Sequence, residues 1–175
     1  FLVITRLDAQ QTEALVAKAQ ADPIAAGEVS HLMAVLLDDL AIANDFLLLV
    51  PEFGESDFPG SAGYNLGYRF DAEGKPRPPG EWSFAAIEPL FDDALRRFGM
   101  VTTGYALYGH SAGAQFVHRY VFHNPGARIT RAVAANAGWY TMPDFGVDWP
   151  YGLGGSAVDA GMLGAAMNVP LTVLL

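Results

Sequence analysis

The chain has 175 residues, of which 51% are hydrophobic and 17% charged, enough apolar content for one packed core and too much for a disordered segment. A formal charge of −9 and a pI near 4.7, with no Lys/Arg cluster, exclude a nucleic-acid phosphate backbone as the natural partner. Cysteine is absent, which excludes disulfides, thiolate metal sites and a cysteine nucleophile, and both reducing and oxidising compartments tolerate its absence.

In chain order, Phe1–Thr5 is a short apolar run that reads as a buried strand. Asp8 with Gln11 resembles a capping box for a helix over roughly Ala9–Gln20, which Asp22-Pro23 stops. A second helical pattern (Leu32, Val35, Leu36, Leu40, Ala43) precedes Phe46–Val50, a continuous apolar run and the second expected strand. The apolar stretches Leu32–Val50 and Gly161–Leu175 are both interrupted by polar residues or proline, so neither reads as a membrane span.

From Pro51 to Trp82 the chain is rich in Gly and Pro and carries Phe58, Tyr64, Asn65, Tyr68 and Phe70, the pattern of a long surface excursion of the kind that often carries function. Ser83 is placed to cap a helix with apolar positions Phe84, Ile87, Phe91, Leu95 and Phe98, ending near Gly99. Tyr105–Tyr108 reads as a third strand. Ala112–His123 has Phe116/Tyr120 and Val117/Val121 at four-residue spacing, hence a helix, terminated by Asn124-Pro125-Gly126. Ala132–Ala135 is a fourth strand, Ala157–Ala166 a helix, and Val169–Leu175 a fifth strand. Strands alternating with helices predict one α/β domain over residues 1–175, built on a doubly wound, mostly parallel sheet with Tyr105–Tyr108 central, flanked by the first and fourth strands.

The chemical signal is Gly109-His110-Ser111-Ala112-Gly113, a GxSxG pattern between an expected strand and an expected helix. A serine on so sharp a turn adopts a strained backbone, and glycines two before and two after it let the helix approach the strand. The turn exposes the Ser111 hydroxyl and offers the Ala112 N–H, at a helix N-terminus, to a developing oxyanion.

From about Phe46 to Leu175 the chain resembles bacterial α/β-hydrolases of the polyhydroxyalkanoate depolymerase and feruloyl-esterase group. The matching stretches are LLLVPEF (Leu47–Phe53), WSFAAIEPLFD (Trp82–Asp92), YALYGHSAGAQFVHRY (Tyr105–Tyr120), AANAGWYTMP (Ala134–Pro143) and WPYGLGG (Trp149–Gly155). Residues 1–45 match poorly. The resemblance implies a Ser-His-acid triad, an oxyanion hole and ester cleavage on a small-molecule or polymeric substrate, with no metal or organic cofactor.

In this fold the acid and then the histidine follow the nucleophile, and the acid turn comes after the strand here placed at Val169–Leu175, so the chain reads as a partial domain, incomplete at its C-terminus and with its N-terminal end left open. None of the four histidines fits the base: His110 adjoins the serine and should pack beneath the turn, and His118 lies about 10 Å along the helix. His123 sits at the helix end, where a cation would suit the macrodipole, and His31 lies in the poorly matched part. Asp144 and Asp148 are runner-up acids, and acid and base remain unassigned. The second oxyanion donor is expected after the first strand, where Arg6-Leu7-Asp8 lacks the glycine that relatives carry. Trp139 and Tyr140 are candidate substrate-pocket residues. Three functions stay open: an ester hydrolase on Ser111, an acyltransferase or peptidase on the same elbow, and a non-catalytic binding or structural protein. An uncovered last strand would invite self-association through the sheet edge.

Overall fold

The computed structural model describes residues 2–6 and 46–175, and the helices expected at Ala9–Gln20 and across Leu32–Ala43, with the Asp8–Gln11 capping box and His31, lie outside them. The strands are β1 (Leu2–Arg6), β2 (Phe46–Leu49), β3 (Tyr105–His110), β4 (Ile129–Ala135) and β5 (Leu171–Leu174). The helices are α1 (Gly60–Gly63), α2 (Ile87–Phe98), α3 (Ala112–His123) and α4 (Ala160–Ala166). Among the described residues, no helix is long and apolar enough to cross a membrane.

The strands form one sheet in the order β2-β1-β3-β4-β5, which puts β3 in the middle with β1 and β4 beside it, as expected. β3, β4 and β5 are mutually parallel neighbours, whereas β1 runs antiparallel to both β2 and β3. A continuous apolar run marks a buried strand without marking its direction, so the reversal of β1 has no sequence signature. On β3, Tyr105, Leu107 and Gly109 are buried and alternate with half-buried Ala106 and Tyr108, and α3 packs over β3 and β4. At the sheet's outer edge β5 leaves Val173 and Leu174 about half exposed.

Phe84, Phe91, Tyr105, Phe116 and Tyr120 build the centre of the core, with Phe84 edge-on to Phe116 at 5.0 Å and Phe91 against Tyr105 at 4.9 Å. The helix expected from Ser83 begins instead with a 3₁₀ turn, Ser83–Ala86, and α2 starts at Ile87. Ser83 does not cap it. Its buried hydroxyl donates to the Tyr64 carbonyl at 2.8 Å, tying the 51–82 segment to the core, because a buried carbonyl without a donor would cost more than an uncapped, solvated helix end. Gly99 closes α2 at φ 62°, where the left-handed cap requires glycine.

Candidate active site

The turn from β3 into α3 carries a non-glycine residue at positive φ. Ser111 sits at φ 54°, ψ −118°, a combination that L-residues adopt at a cost of about 1–3 kcal/mol. Its N–H donates to the Ala135 carbonyl at the end of β4 (3.0 Å), and its carbonyl accepts from Gln115 N–H (3.1 Å). The surrounding hydrogen bonds thus hold the strained geometry in place. The side chain makes no capping bond, and Ser111 and Ala112 are exposed. A Cβ on Gly109 would stand 2.1 Å from the Gly113 carbonyl oxygen, so the sharpness of the turn forbids any side chain there. His110 is exposed, against the expectation that it packs beneath the turn: β3 runs through to His110, and the alternation that buries Gly109 turns the next residue out.

Ala112 lines a cleft of about 430 Å³ whose other walls come from the segment after β2, chiefly Pro51, Glu52, Phe53, Glu55 and Tyr64. Phe53 packs at a tilt on Phe116 of α3 at 5.4 Å and Tyr64 stacks on it at 5.5 Å, which seats this wall against the helix that follows the elbow. Glu55 accepts from the Gly60 N–H at 3.1 Å and orders the tip of the segment.

Histidines His118 and His123 are both buried structural residues. His118 Nδ1–H donates to the Ala114 carbonyl (2.8 Å) and its Nε2 accepts from the Thr141 N–H (2.9 Å), so both ring nitrogens are engaged. Burial lowers its pKa to about 4. His123 Nδ1–H donates to the Arg119 carbonyl, and burial, with Arg69 and Arg119 nearby, lowers its pKa to about 3. It is neutral at physiological pH and supplies no cation to the helix dipole: desolvation outweighs the dipole. Asp144 and Asp148 are exposed, and Asp144 accepts from the Gly146 N–H at 2.8 Å in a local turn.

Trp139 and Tyr140 pack against α3 and β5. The Arg119 guanidinium lies 4.2 Å over the Trp139 ring, while the Tyr140 hydroxyl reaches the carbonyls of Ala134 and Leu174 and its ring meets His118 at 5.1 Å. Neither lines the cleft at Ala112.

A polar seam that sequence reasoning missed runs inward from the elbow. Arg119, fully buried, donates from Nε to Thr141 Oγ1 (2.9 Å) and from Nη1 to the Asn65 carbonyl (2.8 Å). Asn65 in turn donates to Gln115 Oε1 (2.9 Å), and Thr141 Oγ1–H donates to the Pro150 carbonyl (2.7 Å). One arginine therefore ties the cleft wall at Asn65 and the loop around Thr141 to the helix that carries the elbow. Among the described residues no carboxylate pairs with Arg119 or with Arg69, which lies 4.6 Å over the Trp149 ring; burial lowers the pKa of each to about 10. The available signal was the four-residue spacing of Ser111, Gln115, Arg119 and His123, one polar line along a helix whose other residues, apart from His118, are apolar or aromatic.

No protein-family model and no curated protein matches the chain. Among solved structures it is similar to poly(aspartic acid) hydrolase-1 from Sphingomonas sp. KT-1, with a TM-score of 0.71 and 50% identity over 77% of this chain and 53% of that one. It is also similar to LpqC, a poly(3-hydroxybutyrate) depolymerase from Bordetella parapertussis, with a TM-score of 0.72 and 34% identity over 79% of this chain and 48% of that one. The chain spans about half the length of each. Its mostly parallel sheet with flanking helices and these two likenesses show an α/β fold of the α/β-hydrolase type, similar to that of depolymerase-type hydrolases.

Proposed function

We propose that the chain carries the nucleophile of a serine hydrolase that cleaves carboxylic esters. The observation that supports this most directly is Ser111, exposed at φ 54° on a turn that fixes its backbone from both sides and leaves its hydroxyl outside the helix cap. In the proposed reaction Ser111 Oγ adds to the acyl carbonyl while its proton passes to a general base. The Ala112 N–H holds the oxyanion, collapse expels the alcohol to leave an acyl-serine, and water then releases the acid. The wall after β2, at Glu52 and Phe53, borders the same cleft as Ala112 and is the proposed source of a second oxyanion donor, Leu7 and Asp8 lying outside the described residues. Base and acid are not assigned: His118 and His123 are buried and hydrogen-bonded elsewhere.

Charge distinguishes between the substrates named for the two similar structures. Among the described residues two carboxylates, Glu52 and Glu55, line the cleft, and no lysine or arginine does. Such a wall repels a polyanion and admits a neutral polyester, so a neutral ester chain is the favoured substrate, with small or aromatic acyl groups ahead of long lipid chains.

The test is intact mass after exposure to a fluorophosphonate probe. The expected result is one adduct on the wild-type chain and none on Ser111→Ala. Equal labelling of both would place the nucleophile elsewhere. No labelling of either would favour the second reading, a non-catalytic protein that keeps the fold, which the absence of any hydrogen-bonded acid–histidine pair among the described residues supports.

A further inference from the structure

Beyond Phe58, on the side away from Ala112, lies a second cleft of about 390 Å³, and Phe58 lines both. The 51–82 segment builds nearly all of this outer cleft, with Phe58, Tyr68 and Trp82 as aromatic walls and Arg77 as its cation. The rings form a continuous path: Phe53 meets Phe58 at 5.1 Å, and Phe58 meets Tyr68 at 6.1 Å.

The outer cleft is held in shape by bonds that a merely solvated loop would not need. Tyr68 stands at φ 53°, left-handed for a bulky residue, fixed by its N–H on the Ala62 carbonyl at 2.9 Å. The Arg77 guanidinium lies 4.0 Å over the Tyr68 ring, one of its Nη atoms pairs with Glu81 at 3.1 Å, and its Nε is buried with no acceptor. Trp82 Nε1–H donates to the Arg77 carbonyl at 2.9 Å, which locks the indole against the same strand of chain. The result is an aromatic floor beside a cation whose side chain stays 26% exposed and lines the cleft, next to the proposed reacting centre.

We propose that the outer cleft is a second subsite for a chain-like substrate: while one ester unit sits at Ala112, the neighbouring unit passes over Phe58, packs on Tyr68 and Trp82, and presents a carbonyl to Arg77. The ligand class is a neutral oligoester, since Asp57 and Glu81 flank Arg77 and offset its attraction for free carboxylates. This rests on the reading of Ser111 as the nucleophile facing the inner cleft. It gives the long 51–82 excursion a task, selecting polymers over single esters by engaging two linked units at once.

The experiment measures binding to the Ser111→Ala form of the full chain, isotopically labelled, so that the result does not depend on turnover; fluorophosphonate labelling tests the nucleophile separately. The probes are the methyl esters of lactic acid and of its linear trimer, followed by backbone amide shifts. Two linked subsites predict that the trimer binds about tenfold more tightly than the monomer. The trimer alone should shift Tyr68 and Trp82, whereas both probes shift Ala112. Tyr68→Gly, which removes the ring and suits the left-handed backbone, and Arg77→Gln should each abolish the trimer's advantage with monomer binding intact. If Tyr68→Gly also loses monomer binding through misfolding, Arg77→Gln and the shift pattern of the parent decide. Equal affinity for the two probes, trimer shifts confined to the inner cleft, failure of the trimer to bind, or an advantage that survives both substitutions overturns the subsite.

Discussion

Helix α3 holds two opposite environments within three turns. At its tip Ser111 and Ala112 are exposed and the backbone is strained; from Gly113 to His123 every residue is buried, including Gln115, His118, Arg119 and His123. The tip keeps the Ser111 side chain accessible on a backbone held at a conformational cost. The body keeps four polar side chains out of water by giving them partners. The difference teaches that accessibility at the elbow depends on rigidity below it: the Arg119 seam fixes both the helix and the cleft wall that face the serine.

The largest break should come from Gly109→Ala. Its new Cβ would meet the backbone carbonyl of Gly113 rather than a yielding side chain, so the turn must open, at a cost on the order of 4 kcal/mol. Urea denaturation should show that loss, together with disappearance of Ser111 labelling by a fluorophosphonate. A near-neutral result would mean that the tip is softer than its hydrogen bonds imply.

Arg119→Leu strikes the body instead. It strands the Asn65 carbonyl and removes the donor to Thr141 Oγ1, with an expected destabilisation of about 3 kcal/mol. Because the same residue anchors the cleft wall, amide shifts should move at Asn65 and Tyr64 as well as at Thr141. Shifts limited to the Thr141 loop would show that tip and body are uncoupled.

Acid sharpens the contrast through the buried histidines. Both have pKa values lowered in the folded state, to about 4 and about 3, against about 6.5 when unfolded. Between pH 6.5 and 5 the unfolded chain therefore binds more protons than the folded one, and stability falls as pH falls. The slope approaches about 1 kcal/mol per pH unit for each histidine, before the carboxylates titrate. Denaturation midpoints across that range measure it, and His118→Asn or His123→Asn should each flatten the slope even where it lowers the overall stability.

Smallest is Ser111→Gly, which should stabilise the fold by about 1 kcal/mol, since glycine adopts the elbow backbone without strain. A loss of stability would show that the serine side chain holds the turn rather than straining it.

The order of elements along the chain was legible because hydrophobic periodicity and terminators are local. Four-residue pairs marked α3 and Asn124-Pro125 its end, Gly99 marked the end of α2, and apolar runs marked β2 to β5. The elbow was legible for the same reason: Gly109 is a glycine because its backbone passes close to that of Gly113 within five residues. What lay beyond reach was whatever depends on partners far apart in sequence. Ser83 reads as a cap, yet it serves Tyr64; His123 lies at a helix end where a cation would suit the macrodipole, yet burial keeps it neutral; Trp139 packs under Arg119, and Tyr140 packs on His118 beside a separate cleft of about 420 Å³. The direction of β1 and the joining of Asn65, Arg119 and Thr141 belong to the same class. Local spacing fixes which residues can turn, cap or alternate, but a polar side chain's role follows from the groups and the dielectric around it, and only the tertiary structure brings those together.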